Sequence, residues 1–392
     1  MSSSPPLAPP TASPSVRFLD LSAAHAELGE ELERAAARII AAGSYVLGEE
    51  LERFESAFAE EVGAAHCVGV GSGLDALTLA LAARGVGAGD EVIVPAHTFI
   101  ATWLAVTRLG AVPIPVEPCA DGFNLDPHAV EAAIGPRTTA IVAVHLYGEP
   151  APLGQLRAIA IQHRLALIDD AAQAHGARLE GDPIGAGTDA TAWSFYPSKN
   201  LGALGDGGAV TTDDAQLASR LRSLRNYGSQ EKYHHVEQGF NSRLDELQAA
   251  LLSCKLPHLD RWNARRREIA ARYNAALEEL PLQLPLLAED GGEEATEHVF
   301  HLYVVRSKAR EELRASLASV GIETGIHYPI PCHRQEAFAG SPAARVQLPL
   351  ADRLAGEVLS LPIGPHLPEA DLERVIASVH AFFEGSPRAA RG

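Results

Sequence analysis

"DATAWSFYPSKNLGALGDGGAVTTD", residues 189–213, carries a single lysine, Lys199, between two β-rich runs. "DATAWSFY" and "GAVTTD" read as strands, and the loop between them has glycines at 202, 205, 207 and 208. Glycine at a strand exit lets backbone approach a ligand closely. A lysine amine is a nucleophile only when neutral, which requires desolvation or a nearby positive charge at about 1.4 kcal/mol per pKa unit. Lys199 has apolar and glycine neighbours, and the first acid after it is Asp206. An ordinary exposed loop lysine would need none of this architecture.

Outward from this loop, short β-rich runs alternate with helical patterns from about residue 64, the signature of a largely parallel sheet covered by helices. "GSGLDALTLALAARG" is a glycine turn entering a helix, with Ser72 as N-cap. The strands "EVIVPAHTF", "AVPIPVE", "TAIVAVHLYG" and "LALID" are interleaved with the helices "ATWLAVTRLG" and "LGQLRAIAIQHR", and "DAQLASRLRSLRNYG" returns to helix. The fold class is therefore α/β. At 392 residues the chain suits a large domain with a smaller partner. Residues 244–278 form a long helical stretch broken near Pro257, because an interior proline loses a hydrogen bond and clashes. Beyond it, strand "HVFHLYVVR", helix "AREELRASLASVG", turn-rich "IETGIHYPIPCHRQ" and helix "EADLERVIASVHAFFE" suffice for a smaller α/β domain, while acidic "LAEDGGEEATEH" reads as an exposed loop. The expected division is a tail over 1–16, a large domain over 17–260, a small one over 261–385 and a tail over 386–392.

Composition excludes several classes of function. With 32 Lys plus Arg against 50 Asp plus Glu, the formal charge of −18 repels phosphate backbones, so nucleic acid is not an expected partner. An anionic small ligand would need local donors, such as a helix N-terminus. The four cysteines form no CxxC pair and suggest neither a disulfide framework nor a zinc ribbon. The first 16 residues lack a basic region followed by an apolar run, and no apolar stretch reaches the roughly 18 residues of a membrane span. A soluble, cytoplasmic protein is expected. His234 and His235 read as a solvated loop, and "HYPIPCH" lacks a third well-spaced ligand, so no metal is expected.

Three segments put polar groups at the ends of strands, where open α/β sheets gather ligands. "GSGLDAL", residues 71–77, directs helix N–H groups at an anion. "LIDDAAQAHGA", residues 167–177, delivers Asp169 and Asp170 together; adjacent side chains on extended backbone point oppositely, so one carboxylate faces the site. Gln173 and His175 follow. The lysine loop is the third. Together they fit an aromatic aldehyde phosphate: phosphate on the helix start, ring nitrogen on Asp170, aldehyde on the Lys199 amine. Pyridoxal phosphate has that shape, and Lys199 would then move a proton between substrate and cofactor.

"GSGLDALTLAL", "VPAHTFIAT", "VHLYGEP", "IDDAAQAHGA", "SFYPSKNLGALGDGGAV", "LRNYGS", "GFNSRLDELQAA" and "HYPIPCH" together resemble the DegT/DnrJ/EryC1/StrS sugar aminotransferases of the fold-type I pyridoxal-phosphate class, over about residues 17–385. The resemblance implies Lys199 as the Schiff-base lysine and Asp170, 29 residues earlier, as partner of the ring nitrogen. It implies Gln173 near the ring hydroxyl, Phe99 and Ala172 on the two ring faces, and Ser194 with the Gly73–Leu74 backbone on the phosphate. Leu74 stands where threonine is common, leaving only an N–H there. Asn241 matches a residue that reaches the neighbouring subunit's phosphate, which implies a homodimer with shared sites. In sugar 3-dehydratases of the family a histidine replaces the lysine, so Lys199 argues for transamination. The wording around the cofactor is most similar to enzymes that aminate C3 of thymidine-diphosphate 3-keto-6-deoxyhexoses, with L-glutamate as donor and 2-oxoglutarate as product. Tyr196, Tyr227, His327 and Tyr328 are candidate sugar or diphosphate contacts. The alternatives are a nucleotide 4-keto sugar, a keto-cyclitol or antibiotic precursor, and a non-catalytic binding protein on the same fold.

Overall fold

Strands that are apolar on both faces form a sheet that must be covered twice. The computed structural model describes residues 15–185, 187–287 and 296–385, and shows how this chain meets that demand. Two helices precede the alternating region: α1 (Leu21–Ala42), N-capped by Asp20, and α2 (Glu49–Glu61). Then come β1 (His66–Val70), α3 (Gly73–Ala83), β2 (Glu91–Pro95), α4 (Ala101–Arg108), β3 (Val112–Val116), α5 (Pro127–Ala132), β4 (Thr138–Val144), α6 (Leu153–His163) and β5 (Ala166–Asp170). Two short strands, β6 (Arg178–Leu179) and β7 (Asp182–Pro183), lead to β8 (Ala190–Ser194), the lysine loop and β9 (Gly208–Thr212).

The seven-stranded sheet has the order β1-β9-β8-β5-β4-β2-β3. β9 runs antiparallel to both its neighbours, and the other pairings are parallel. Period-2 alternation divides the side chains cleanly. Ala140, Val142 and Val144 of β4 enter one core with α3 and α4, whereas Ile141 and Ala143 enter the other with α2 and α6. The second core is dense in aromatic rings: Phe58 meets Trp193 and Phe195 edge to face at 5.2 and 5.3 Å.

The chain continues through α7 (Ala215–Leu224), the hairpin β10 (Ser229–Glu231) and β11 (His234–His235), then α8 (Glu246–Lys255) and α9 (Leu259–Leu277). A 3-10 turn over Leu256–His258 separates these helices at Pro257. The remaining elements are β12 (Thr296–Glu297), β13 (Tyr303–Arg306), α10 (Arg310–Ser319), α11 (Pro349–Glu357), β14 (Val358–Leu361) and α12 (Glu369–Gly385). β13 pairs with β14, and a separate apolar core gathers α9, α10 and α12 around them. No helix among the described residues is long and apolar enough to cross a membrane.

Several local expectations change. The strand read over "HVFHLYVVR" is confined to Tyr303–Arg306. Before it, Val299 and Leu302 give their N–H groups to the carbonyls of Gly148 and Tyr147, tying the approach to β13 to the large-sheet region instead of extending a ladder. Val16, assigned to the tail, is fully buried, and its backbone pairs with Gly321 and Glu323; residues 1–14 and 386–392 lie outside the described residues. So does most of the acidic loop, although its end, Thr296–Glu297, pairs with β6. His234 and His235 are exposed but form a strand, and the His235 ring contacts the Tyr227 carbonyl at 3.0 Å.

The N-terminus of α2 is satisfied from a distance. Its N-cap is Gly48, which has no side chain to offer, and the buried Glu246 carboxylate accepts from the N–H groups of Gly48, Glu50 and Leu51 at 2.8, 3.0 and 3.1 Å. Glu246→Ala orphans these donors and is expected to cost about 3 kcal/mol, read as a lower urea midpoint at unchanged slope.

Candidate active site

Alternation in two strands aligns the first two polar groups. In β5, Ile168 points into the α3/α4 core and Leu167 into the other; Asp170 follows the side of Ile168. In β8, Ala192 and Trp193 divide in the same way, so Ser194 shares the face of Asp170. Asp169 is turned away, accepting from the Thr188 hydroxyl at 3.1 Å. One carboxylate of the adjacent pair therefore faces the site.

Asp170 is buried and accepts from Thr102 Oγ1 at 2.9 Å and from the Ala172 N–H at 3.2 Å. Thr102 in turn meets Thr98 Oγ1 at 3.1 Å. Burial raises the carboxyl pKa, while these hydrogen bonds and the Lys199 charge pull it down. Lys199 lies half-buried in its loop, its N–H bonded to the Tyr196 carbonyl at 2.9 Å. Desolvation lowers its amine to about 8, against the opposing pull of Asp170. Among the described residues the amine has no hydrogen-bond or ion-pair partner. An amine so placed is far more nucleophilic near neutral pH than a solvated lysine.

The opposite end of the site is built by close approach of backbones. Ser72 caps α3 through its side chain, which accepts from the Asp75 N–H at 3.1 Å, and the Ala76 N–H goes to the Ser72 carbonyl. Among the described residues the N–H groups of Gly73 and Leu74 have no partner, so they are free for an anion. The Leu74 side chain packs into the core and adds no hydroxyl. A methyl group on Gly73 would lie 2.6 Å from Ser194 Cβ, and one on Gly208 would lie 2.5 Å from the Ser72 carbonyl. Glycine is obligatory at both positions for the helix start to lie against the sheet.

Around these groups, Gln173 accepts from the Tyr147 N–H at 2.6 Å and donates to the Tyr328 hydroxyl at 3.1 Å. The Tyr328 ring lies 5.5 Å from that of Phe99, which is half exposed. His327 bonds Ser360 Oγ through Nδ1 at 2.8 Å, stacks on Phe18, and gives its carbonyl to the Tyr147 hydroxyl. Burial holds the His327 imidazole down at about 4. Asp170, Ala172, Gln173, Phe99 and Tyr328 are thus brought together, as are Gly73 and Ser194.

Tyr196, Tyr227 and Asn241 stand apart. All three are exposed; Tyr227 carries the Arg243 guanidinium over its ring at 5.4 Å, and Asn241 bridges Asn226. Next to Asn241, Ser242 is buried against the start of α3, accepting from the Gly71 N–H and donating to Asp75, both at 2.9 Å. Sequence reasoning passed over Thr102, Tyr147 and Ser242. Thr102 lies inside the quoted "VPAHTFIAT", but only the packing of α4 on β5 shows its hydroxyl meeting Asp170. Among the described residues no group of three or more His, Cys, Asp or Glu side chains is arranged to hold a metal ion.

The profile of the DegT/DnrJ/EryC1/StrS aminotransferase family matches residues 26–380. Two curated relatives are dTDP-3-amino-3,4,6-trideoxy-alpha-D-glucose transaminase of Streptomyces venezuelae, 54% identical over 95% of this chain and 97% of its own, and dTDP-3-amino-3,6-dideoxy-alpha-D-galactopyranose transaminase of Aneurinibacillus thermoaerophilus, 47% identical over 94% and 99%. Among solved structures, S. venezuelae DesV superposes with a TM-score of 0.92 at 54% identity, covering 95% of this chain and 99% of that one. Bacillus subtilis NtdA, solved with bound pyridoxamine phosphate, gives 0.87 at 31% identity over 94% and 85%. The chain belongs to the DegT/DnrJ/EryC1/StrS aminotransferase family. It is a transaminase that uses pyridoxal phosphate.

In the cofactor-free protein, acylation of Lys199 followed by mass spectrometry should rise with a midpoint near pH 8, where a solvated lysine titrates near 10.5. Asp170 favours the charged amine, so Asp170→Asn should move that midpoint below 8.

Proposed function

We propose that the enzyme transfers the amino group of L-glutamate to C3 of a dTDP-3-keto-6-deoxyhexose, in deoxyaminosugar formation in the cytoplasm. The observation that carries this reading is end-to-end identity of 54% with a dTDP-3-amino sugar transaminase, on a chain whose buried carboxylate and low-pKa lysine share one site.

The residues present fit the cofactor. The close approach at Gly73 and the unpartnered N–H groups at the start of α3 suit its phosphate, with Ser194 as a further donor. Asp170 suits the ring nitrogen, Gln173 the ring hydroxyl, and Phe99 and Ala172 the two ring faces. When bound, pyridoxal phosphate supplies an electron sink for the pair left as the donor's Cα proton departs. The protein's contributions are specific. The bonds from Thr102 and the Ala172 N–H favour the ionised form of Asp170, whose carboxylate would keep a proton on the ring nitrogen. Lys199 Nζ would hold the cofactor through its aldehyde and, once displaced by the incoming amine, would take and return the proton as general base and acid. Tyr328 positions Gln173 and fills space beside Phe99.

Tyr196 and Tyr227 are exposed aromatic groups available to the sugar and diphosphate, with His327 and Tyr328 on the inner wall. Phe99, Tyr196, Tyr227 and Phe240 leave apolar surface uncovered in one chain, which supports a homodimer in which the partner closes the site. Asn241 is exposed and neighbours the inward-facing Ser242, so in extended backbone it faces outward and is suited to the partner's phosphate. We assign residues 17–260 to the cofactor domain and 261–385 to the smaller one, with Val16 belonging to the latter's core.

The test supplies L-glutamate with 3-keto and 4-keto dTDP-hexoses and a keto-cyclitol, and identifies products by mass spectrometry. Amination confined to the 3-keto sugar is expected; exclusive conversion of a 4-keto sugar or cyclitol overturns the assignment. Lys199→Ala should lower turnover by about a thousandfold or more and abolish the lysine-bound visible absorption.

A further inference from the structure

Lys199 is followed by a side chain with no part in the chemistry described above. Asn200 is 4% exposed, and its amide meets partners from distant parts of the chain: Nδ2 donates to Asn263 Oδ1 at 2.8 Å and to the Val299 carbonyl at 3.0 Å, while Oδ1 accepts from His301 Nδ1 at 3.2 Å. Asn263 of α9 is 1% exposed and passes the connection on, its Nδ2 donating to the His175 carbonyl at 2.8 Å. A main-chain carbonyl only accepts, so Val299 and His175 fix which way each amide is turned. The result is a bridge from the residue after Lys199 to the segment that carries Asp170 and Gln173.

Both ends of the bridge are anchored in backbone. His175 stands two residues after Gln173 and five after Asp170, and the N–H groups of Ala174 and Ala177 close that segment into turns on the Ala171 and Ala174 carbonyls, each at 2.9 Å. A methyl group on Gly176, whose φ is +78°, would lie 2.6 Å from Asn263 Nδ2, so glycine is what lets the amide reach the neighbouring carbonyl. At the other end the Lys199 N–H bonds the Tyr196 carbonyl and the Ala203 N–H bonds that of Phe195, at 2.9 and 2.8 Å. The amine lies close to this bridge, because its charge acts on both His175 and His301, imidazoles that burial holds well below their ordinary range. The other groups that exchange charge effects with Lys199 are Asp170 of β5 and His327. Lys255 holds the lysine loop separately, through the Gly202 carbonyl at 2.6 Å, so losing the bridge loosens the loop without releasing it.

We propose that Asn200 and Asn263 are positioning residues for transamination, an amide pair that sets the spacing between the Lys199 loop and the segment carrying Asp170 and Gln173. The proposal rests on Lys199 and Asp170 serving the two ends of the cofactor, as assigned above. The lysine side chain is long and flexible, so its amine is only as well placed as the loop beneath it, and a misplacement of about 1 Å can cost on the order of a hundredfold in rate. The choice of amides has its own reason. An ion pair in the same place would fix the two segments equally well but would put charge beside the amine and the carboxylate, whereas neutral groups fix geometry and leave both ionisations alone.

The test is a double-mutant cycle of Asn200→Ala, Asn263→Ala and the pair, with far-UV circular dichroism confirming that each variant is folded. One readout is the acylation midpoint of Lys199 in the cofactor-free protein. Desolvation is the larger influence on this amine and Asp170 the smaller, so a loosened loop that admits water should raise the midpoint from near 8 to about 9. The other is turnover of the loaded enzyme: kcat per bound cofactor should fall about tenfold or more while KM for the amino donor stays within about threefold. Because the two amides form one bridge, the pair should lose no more than the larger single variant in either readout. Asn200→Ser and Asn263→Ser, too short to span the gap, provide the same comparison if the alanine variants do not fold. A wild-type value in either readout overturns the proposal, even if the urea midpoint is lowered, because the amides would then serve stability alone. Additive losses overturn it as well, since the two residues would act separately. Lys199→Ala separates this from a failure of the site assignment: turnover retained there removes the assignment itself, whereas loss there beside wild-type asparagine variants removes only the positioning role.

Discussion

A buried carboxylate and a partly desolvated amine, each acting on the other's charge, set the terms for the rest of this structure. Asp170 alone, with burial raising its pKa, would favour the neutral acid, and Lys199 alone would favour the neutral amine. Each charge supports the other, and Thr102 and the Ala172 N–H tilt the balance toward the carboxylate without touching the lysine. The outcome is a base that can be neutral near physiological pH beside an acid that can remain ionised. A solvated lysine is charged near physiological pH, whereas a solvated aspartate is already ionised; the site adds the first condition and keeps the second.

Keeping such a pair in place requires a rigid frame, and here the frame is backbone packed on backbone. The helix start at Gly73 lies against Ser194, Gly208 lies against Ser72, and in the lysine loop Gly202 leaves no room for a side chain before Pro197. Aromatic packing of Phe58, Trp193 and Phe195 holds the reverse face of the same strand. The core around β13 and β14 is attached through Val299 and Leu302, whose N–H groups bond to the turn that holds Tyr147. Through Tyr147, Gln173 and Tyr328, the wall contributed by residues 327 and 328 is fixed relative to the ring site. Lys255 and Arg266 complete this frame from behind the loop by donating to the carbonyls of Gly202 and of Phe300 and His301.

Much of this was legible in order along the chain. The alternation of strands and helices from β1 to α7 follows from apolar periodicity, and the Ser72 cap and the Pro257 break follow from local chemistry. α1 and α2 were not singled out, since they precede the alternating region and are stabilised by contacts with α8, distant in sequence. The strand expected over residues 298–306 fell short for a similar reason. Its first half satisfies its N–H groups in another part of the fold, which no local propensity reports.

By itself the sequence determined that this is an α/β chain with a lysine loop, a strand-end aspartate and a helix start suited to an anion, because turn chemistry, caps and period-2 alternation are local properties. It also determined the family, because those segments recur together. Tertiary structure alone decided that Thr102 meets Asp170, that Ser242 braces the start of α3, and that Lys255 and Arg266 share a cavity with Lys199. Desolvation and hydrogen bonding depend on what packs across the sheet, and residues separated by tens of positions become neighbours only when the chain has closed around them.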